Sequence, residues 1–456
     1  MQVFTQPGVG DQPPVFNQLE SSESKNSPQR EHLLRETEHL LPVSSTDTAK
    51  SHLPEMMLVS AKAAVDAPVE APRPAAAPPP PFEQTPSRVN DALVGLFHIE
   101  HNNLNGSMTN AEINRLMQRT NLTDDQAIML AAMRSNFDAI RALDPGQAGI
   151  TNTAIRRLSE LWQRRVTGEG APLTEQQTTL INTLQSSAGM HRGWLEGSNR
   201  SLYATPNARD SVVPSACSQG NDVGNCHFVS AMTSLAQTDP AAIVRMIRDN
   251  HNGTYTVTFP GQEPIRVNAP TNAELAFFGT GDSHGLWSTV LQQAYGRLWT
   301  PGTANPAIEG AGGSMRSDGL RTLTGQGMTT THTGRLTFWS TLNDSLQLSN
   351  QWPTTATVFA EAGEALFGNA PSTGFTGQHE YAVLGFVPNP QNLQAGRVTI
   401  QNPHRTMHWP NNRVPAGMID HGDGRVEMSL QQFNDIFFNV SSAVRPRPRE
   451  IPRLGN

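Results

Sequence analysis

Cysteine is scarce in this chain, with only Cys217 and Cys226 among 456 residues. Two cysteines cannot form the disulfide framework of a small secreted protein, so we expect a reducing compartment such as the cytoplasm, where a catalytic thiol stays reduced. The sequence has no apolar run of about 18 residues or more, so no membrane span is predicted. Residues 1–7 also lack the basic and apolar segments of a conventional cleaved signal peptide.

Neither sign of charge is in marked excess. The net charge is −7 and the isoelectric point is about 6.1, so the composition predicts neither nucleic-acid binding nor attraction to an anionic membrane. Apolar residues make up only 36% of the chain, and there are 37 glycines and 34 prolines. The length is sufficient for two or three domains. The low apolar content predicts that part of the chain is unstructured.

The first segment, residues 1–88, is predicted to be a disordered leader rich in serine, glutamine, glutamate and proline. It ends in a proline- and alanine-rich tract, residues 67–86, which favours extended polyproline geometry and cannot bury a core. The leader resembles those of bacterial effectors that are injected into a host cell. The alternative is an intracellular tail. Residues 446–456 are predicted to form a short tail at the other end.

Residues 89–190 are predicted to be helical, because apolar side chains recur there at helical spacing. Thr123 and Gln126 fit a capping box at the start of one of these helices. We expect this region to fold as a helical unit ahead of the remaining chain.

Inside the helical region, residues 101–112 match the spacing of a calcium-binding EF-hand loop, with Glu112 at the last ligand position. His101 occupies the first position, where a carboxylate normally lies, which weakens calcium binding. A looser second copy begins at Asp144 and has Ala154 in place of the closing acid. The region resembles a degenerate EF-hand pair. Calcium is a candidate ligand but not a required cofactor, and the alternative is a helix pair that kept the turn and lost the metal.

The strongest chemical signal is Cys226, which follows the turn Gly224-Asn225 and begins an apolar run with helical spacing. This pattern predicts a thiol at the first turn of a buried helix. Backbone N–H groups and the positive end of the helix dipole favour the thiolate form there.

Two later segments supply the groups that a thiolate nucleophile needs. His379 begins a strand-like run, and Asn402 ends another. Cysteine on a helix, then histidine, then asparagine on strands is the chain order of papain-like thiol hydrolases. In this hypothesis His379 exchanges the proton, Asn402 orients its ring, and Gln219 is the candidate oxyanion donor together with the backbone N–H of Cys226.

Further segments of one family follow in order along the chain: Gln219-Gly220, Gly224-Asn225-Cys226, Gly285-Leu286-Trp287, Gly312-Gly313-Ser314, His379-Glu380-Tyr381, Gln401-Asn402-Pro403 and Met428-Ser429-Leu430. Together they resemble the calpain family of cysteine proteases over about residues 200–445. The resemblance implies an α+β, papain-like fold with lobe one at about 200–325 and lobe two at about 326–445. It also implies endopeptidase activity, with Cys226, His379 and Asn402 as the triad.

Several positions depart from the family pattern. His227 follows the cysteine where the family usually has tryptophan, and His404 replaces the aromatic residue that shields the asparagine. Trp409 is the next tryptophan along that segment. One more residue separates Gln219 from Cys226 than in the family pattern.

We therefore expect a cysteine endopeptidase that acts on protein substrates through an acyl-enzyme. Two alternatives remain open at this point. The same triad serves acyl transfer and glutamine deamidation, and residues 89–190 could make the chain a non-catalytic binding module. The sequence predicts neither the substrate nor the oligomeric state.

Overall fold

The computed structural model describes residues 91–96, 106–220, 223–279, 284–300, 318–334, 337–358 and 374–444. The predicted leader and tail, the first part of the EF-hand-like loop and the segment Gly312-Gly313-Ser314 lie outside these ranges. Within the ranges that are described, no helix combines the length and apolar character needed to cross a bilayer.

Residues 91–96 and 106–190 are mainly helical. Its helices after residues 91–96 are α1 (Asn110–Leu116), α2 (Asp124–Ser135), α3 (Phe137–Arg141), α4 (Asn152–Thr167) and α5 (Glu175–Gly197). The predicted capping box of Thr123 and Gln126 begins α2. Two short strands, β1 (Ser107–Met108) and β2 (Ile150–Thr151), pair antiparallel and join the loops that precede α1 and α4.

The next part of the chain is helical with one small sheet. Its helices are α6 (Ala208–Ser211), α7 (Cys226–Thr238), α8 (Pro240–Met246), α9 (Asn272–Phe278), α10 (Trp287–Trp299) and α11 (Asp318–Thr324). Strands β3 (Ile247–Asp249), β4 (Thr254–Val257) and β5 (Ile265–Asn268) form an antiparallel sheet, which contains the hairpin expected from the alternating sequence.

The last part is built on a seven-stranded antiparallel sheet with the order β10-β11-β9-β8-β7-β12-β6. The strands are β6 (Met328–His332), β7 (Thr354–Val358), β8 (His379–Val387), β9 (Arg397–Gln401), β10 (Ile419–Asp420), β11 (Arg425–Ser429) and β12 (Asn439–Ala443). Helices α12 (Trp339–Gln347) and α13 (Leu430–Ile436) pack against it. The strands predicted at His379 and before Asn402 are confirmed, and the chain is α+β as expected.

Two hydrophobic cores organise the described residues. One is shared by the helical region and the part of the chain up to α11, and the other lies between the seven-stranded sheet and helices α12 and α13. The helical region joins the first core through α9: buried His191 on α5 contacts the Ala276 carbonyl at 2.7 Å, and Thr271 bonds the Met117 carbonyl. The helical region therefore packs against α9 and stabilises its position.

Helix α7 crosses from the first core to the large sheet. Ser230 Oγ donates to the Glu380 carbonyl at 2.7 Å, and Ser234 Oγ donates to the Val383 carbonyl at 3.2 Å. All four residues are buried. Because serine hydroxyls one turn apart bond to strand β8, the start of α7 is held beside the start of β8, and this contact positions the candidate site.

Helix α11 packs tightly on α7 at Gly319. A Cβ atom added there would lie 2.4 Å from the His227 carbonyl oxygen and 2.9 Å from Phe228 Cα. We expect Gly319→Ala to lower the free energy of unfolding by about 1–3 kcal/mol, because backbone atoms cannot yield as a side chain does. Thermal unfolding measures this loss. Gly327→Ala is the matched control, since a Cβ there meets no atom within 4 Å, and equal losses in both variants would contradict this packing.

Candidate active site

Cys226 is the first residue of α7, as the sequence predicts. The preceding Asn225 is fully buried, and its Nδ2 donates to Gln292 Oε1 on α10 at 2.9 Å. Gln292 Nε2 in turn donates to the Ser218 carbonyl at 3.2 Å. This chain of amide contacts ties the turn before the cysteine to a buried helix, so the thiol is held on a rigid support.

His379 and Asn402 meet because their strands are neighbours. His379 is the first residue of β8, Asn402 directly follows β9, and the two strands pair antiparallel. His379 Nε2 and Asn402 Oδ1 are 3.0 Å apart, and both side chains are 5% exposed. Asn402 Nδ2 donates to the Thr406 carbonyl at 2.8 Å, which fixes the amide so that its oxygen faces the ring.

The Cys226 thiol lies against the beginning of β8. The backbone of Glu380, the residue after His379, hydrogen-bonds the sulfur, and a charge on the sulfur acts on Tyr381 in the same strand. The His379 and Tyr381 rings are in edge contact, with centroids 4.9 Å apart. The fold thus brings the three predicted site residues to one place.

The surroundings of Cys226 favour the neutral thiol over the thiolate. Burial raises its pKa to about 11, and the carboxyl of Glu380 raises it further, while backbone N–H groups of Glu380, His227 and Cys226 act in the opposite direction. The expectation of a lowered thiol pKa is therefore not met. The helix N-terminus does favour the thiolate, but the loss of water around the sulfur outweighs it.

His379 is also neutral at physiological pH. Burial lowers its pKa to about 4, the neighbouring His404 lowers it further, and the hydrogen bond to Asn402 raises it. Protonation of the ring therefore requires a compensating negative charge nearby.

His404 occupies the place expected for the shielding aromatic residue. Its ring lies nearly parallel to that of His379, at 4° and 5.0 Å between centroids, and its backbone N–H donates to Asn402 Oδ1 at 3.0 Å. The contacts of Trp409 are with other residues. Its Nε1 donates to Asp420 Oδ2, and its ring packs on Phe375. The side chain that covers the hydrogen bond between His379 and Asn402 is therefore an imidazole ring.

His227, which follows the cysteine where the family usually has tryptophan, is buried. Its Nε2 lies 2.9 Å from the hydroxyl of Tyr295 on α10, and the next residue, Phe228, stacks on the same tyrosine ring at 4.0 Å. A polar contact with Tyr295 therefore anchors the first turn of α7.

Gln219 is buried near the site, but its amide is engaged locally. The Nε2 group donates to the carbonyl of Val223, and the backbone N–H donates to the Pro403 carbonyl at 2.9 Å. Gly220 packs so closely that a Cβ would lie 2.3 Å from the Phe277 carbonyl oxygen on α9. The loop that carries Gln219 is therefore held between α9 and the segment after Asn402. The assignment of Gln219 as an oxyanion donor stays a prediction.

Sequence reasoning missed the buried carboxyl of Glu380. Burial raises its pKa to about 7, and a hydrogen bond from Thr355 opposes that shift. The available signal was a charged residue inside an otherwise apolar strand. The amide contact of Asn225 with Gln292 was also missed, and no local pattern connects two residues so distant in the chain.

The described residues contain no group of three or more His, Cys, Asp or Glu side chains arranged to hold a metal ion. In the loop before α4, Asp144 accepts a 2.6 Å hydrogen bond from Thr151, and Arg141 donates to the Gln147 carbonyl. Glu112, at the end of the first loop, accepts hydrogen bonds from the backbone and hydroxyl of Thr109 as part of a capping box. These oxygens are engaged within the protein.

The sequence of residues 185–413 matches the model of the calpain family cysteine proteases. This match covers half of the chain. The chain belongs to the calpain family of cysteine proteases. No curated protein matches it significantly.

The calpain family match extends from α5, at the end of the helical region, to the segment after Asn402. It therefore contains Cys226, His379 and Asn402. Strands β10 to β12 and helix α13 follow the matched residues and complete the seven-stranded sheet. His227 and His404 also lie inside the matched range.

Proposed function

We propose that the protein is a papain-like, two-lobed cysteine endopeptidase that hydrolyses peptide bonds of protein substrates with Cys226 as nucleophile. The observation that carries this proposal is the 3.0 Å contact of His379 Nε2 with Asn402 Oδ1 beside the thiol that begins α7. Because Nε2 is engaged with Asn402, the other ring nitrogen, Nδ1, is the one that serves the thiol.

In the proposed acylation step, the Cys226 sulfur attacks the substrate carbonyl carbon as the thiol proton moves to His379 Nδ1. A C–S bond forms, and the carbonyl oxygen becomes an oxyanion. The C–N bond then breaks, and His379 returns the proton to the leaving amine. Water attacks the thioester with His379 as general base, which releases the carboxylic acid and restores the thiol. The low pKa of buried His379 makes the imidazolium a strong acid toward the amine.

The oxyanion requires donors that are already in place. The backbone N–H of Cys226 lies at the first turn of α7 and is directed away from the helix, which supports its role. We propose Gln219 as the second donor. One hydrogen of its Nε2 group bonds to the Val223 carbonyl, and the other would donate to the oxyanion. The contact of Gln219 with Pro403 supports this role, because it ties the loop to the segment that carries Asn402.

Digestion of casein followed by mass spectrometry of the products tests the proposed function. We expect new peptide termini with the wild-type protein and none with Cys226→Ala. A deamidase would instead leave the chains intact with a small mass increase at glutamine, and an acyltransferase would attach an added amine. Either result in the absence of new termini would contradict endopeptidase activity.

We further propose that the helical region is an EF-hand-like pair that supports the protease without calcium. The antiparallel contact of Met108 with Ile150 supports this interpretation, since paired EF-hand loops are joined by a short strand contact. The engagement of Asp144 and Glu112 in internal hydrogen bonds supports independence from metal.

Addition of millimolar calcium or of EDTA is therefore expected to leave both Tm and casein hydrolysis unchanged. A ligand that binds the native state raises Tm by mass action, so a functional calcium site would be visible as a concentration-dependent increase. Differential scanning calorimetry measures it, with magnesium as the control cation. A calcium-specific rise in Tm would contradict the proposal.

A further inference from the structure

His404 contacts both of the groups that orient the candidate nucleophile. Its ring covers His379 at 5.0 Å and 4°, and its backbone N–H donates to the same Asn402 oxygen that holds His379. The backbone of Gln219 also interacts with the His404 ring and favours its charged form. The ring and the backbone of one residue thus join the strand of His379, the end of β9 and the loop before α7.

The ring of His404 is ionisable, whereas an ordinary aromatic cover is not. Burial lowers its pKa, and His408 on the same loop lowers it further, so the ring is neutral at physiological pH. The titratable groups around it are His379 on β8 and His408 on its own loop. The Cys226 thiol contacts the backbone of Glu380, the residue after His379. Two further neighbours of His404 carry no charge. Gln219, in the loop before α7, contacts the ring through its backbone, and Asn402, at the end of β9, has a neutral amide side chain.

We propose that His404 is a positioning residue of the triad that also sets the acid limit of the reaction. In its neutral form it holds the His379 ring flat against its own face and keeps the His379–Asn402 hydrogen bond covered. In its charged form it places a second positive charge beside His379 and opposes the imidazolium. This inference rests on the proposed function, because it assigns a role in that reaction.

The sign of the effect follows from the contact. Like charges within a few ångströms disfavour each other, so removing the ionisable group must make His379 easier to protonate. Since the reaction needs His379 neutral at the start, the protein with an uncharged aromatic at position 404 loses activity at a higher pH than the wild type. The acid limb of its pH profile therefore moves upward.

The direct test is an NMR titration of histidine labelled with ¹³C at Cε1, in the full chain. His379→Gln identifies the His379 signal. We expect His404→Phe, which keeps a flat ring, to raise the pKa of His379 by about one unit. His404→Trp is the second variant, should phenylalanine destabilise the fold. His251→Asn, on the distant β3–β4 turn where the left-handed backbone suits asparagine, should leave the titration unchanged. An unchanged His379 titration in both aromatic variants would overturn the proposal.

The same variants are then compared in the hydrolysis of fluorescein-labelled casein across pH. We expect the acid limb of kcat/KM to move with the NMR titration in His404→Phe. His404→Ala, which removes the stacked ring as well, is expected to lower kcat by about 10–100-fold at neutral pH with little change in KM, as loss of an orienting group does. Equal kcat values for the alanine and phenylalanine variants would overturn the positioning role. If no variant hydrolyses casein, the proposed function fails, while the NMR titration still decides the contact between His404 and His379.

Discussion

His379→Ala is expected to reduce kcat/KM for casein hydrolysis by about 10³–10⁶-fold, the range found when the base of a catalytic triad is removed. The physical reason is the raised pKa of the thiol, which makes the nucleophile depend on a proton acceptor. The thiol of Cys226 has its pKa raised to about 11 by burial, so without a proton acceptor almost no thiolate forms at neutral pH. Both kcat and kcat/KM should fall by similar factors, because the lost interaction is made only in the transition state.

Three companion variants make this result specific. Asn402→Ala should reduce the rate less than His379→Ala, since the ring remains but loses its 3.0 Å orienting contact. Cys226→Ala should be inactive with an unchanged Tm. Cys217→Ala, at the buried second cysteine, should keep the wild-type rate. Wild-type rates in His379→Ala, or loss of activity in Cys217→Ala alone, would contradict the assignment.

Glu380→Gln is expected to make the Cys226 thiol more reactive. The Glu380 carboxyl is buried, and its negative charge raises the pKa of the thiol. With a neutral amide in its place the thiol pKa falls, and each unit of decrease raises the thiolate fraction about tenfold while the pH stays well below the pKa. The rate of alkylation by iodoacetamide, measured at pH 8 in a Cys217→Ala background, reports this change. A rate equal to or below that of the wild type would contradict it.

The same substitution should change how stability depends on pH. The pKa of Glu380 is raised from 4.5 to about 7 in the folded protein, so the folded state holds this proton more tightly than the unfolded state. The contribution of Glu380 to the free energy of unfolding is therefore largest below pH 4.5 and is lost as the pH rises through 7, by about 3 kcal/mol in total. Urea unfolding at pH 5 and pH 8 measures the change in the free energy of unfolding, and the difference between Glu380→Gln and the wild type should shift in favour of Glu380→Gln as the pH rises. Glu169→Gln, at an exposed loop position, is the control and should behave as the wild type.

Local sequence signals were sufficient for the elements that carry the candidate site. The turn before Cys226 and the apolar spacing after it predict the start of α7, and the alternating runs predict the β4–β5 hairpin, β8 and β9. These signals work because each element is decided by a few neighbouring residues, through caps, turns and periodicity.

Properties that depend on packing could not be predicted in this way. The raised thiol pKa of Cys226 and the buried state of Glu380 follow from how deeply the start of α7 lies between α10 and β8. The capture of the Gln219 amide by Val223 is set by a loop whose shape depends on α9. No residue pattern within one segment specifies water exclusion by another.

The helical region illustrates the same distinction at a larger scale. Periodicity and the capping box at Thr123 predict its helices, but the sequence gives no indication that α5 and α2 share a core with α9. Because Gly220 rests on the carbonyl of Phe277 in α9, this shared core lies directly beneath the loop of the candidate site. The region is therefore part of the scaffold of the site.

Intact-mass spectrometry after reaction with a peptidyl epoxide, followed by peptide mapping, tests the assignment of the nucleophile most directly. One adduct on the Cys226 sulfur is expected in the wild-type protein, with none on Cys217 and none on Cys226 in His379→Ala over the same reaction time. An adduct at another residue, or labelling of Cys226 at the same rate without His379, would contradict a thiol activated by this histidine.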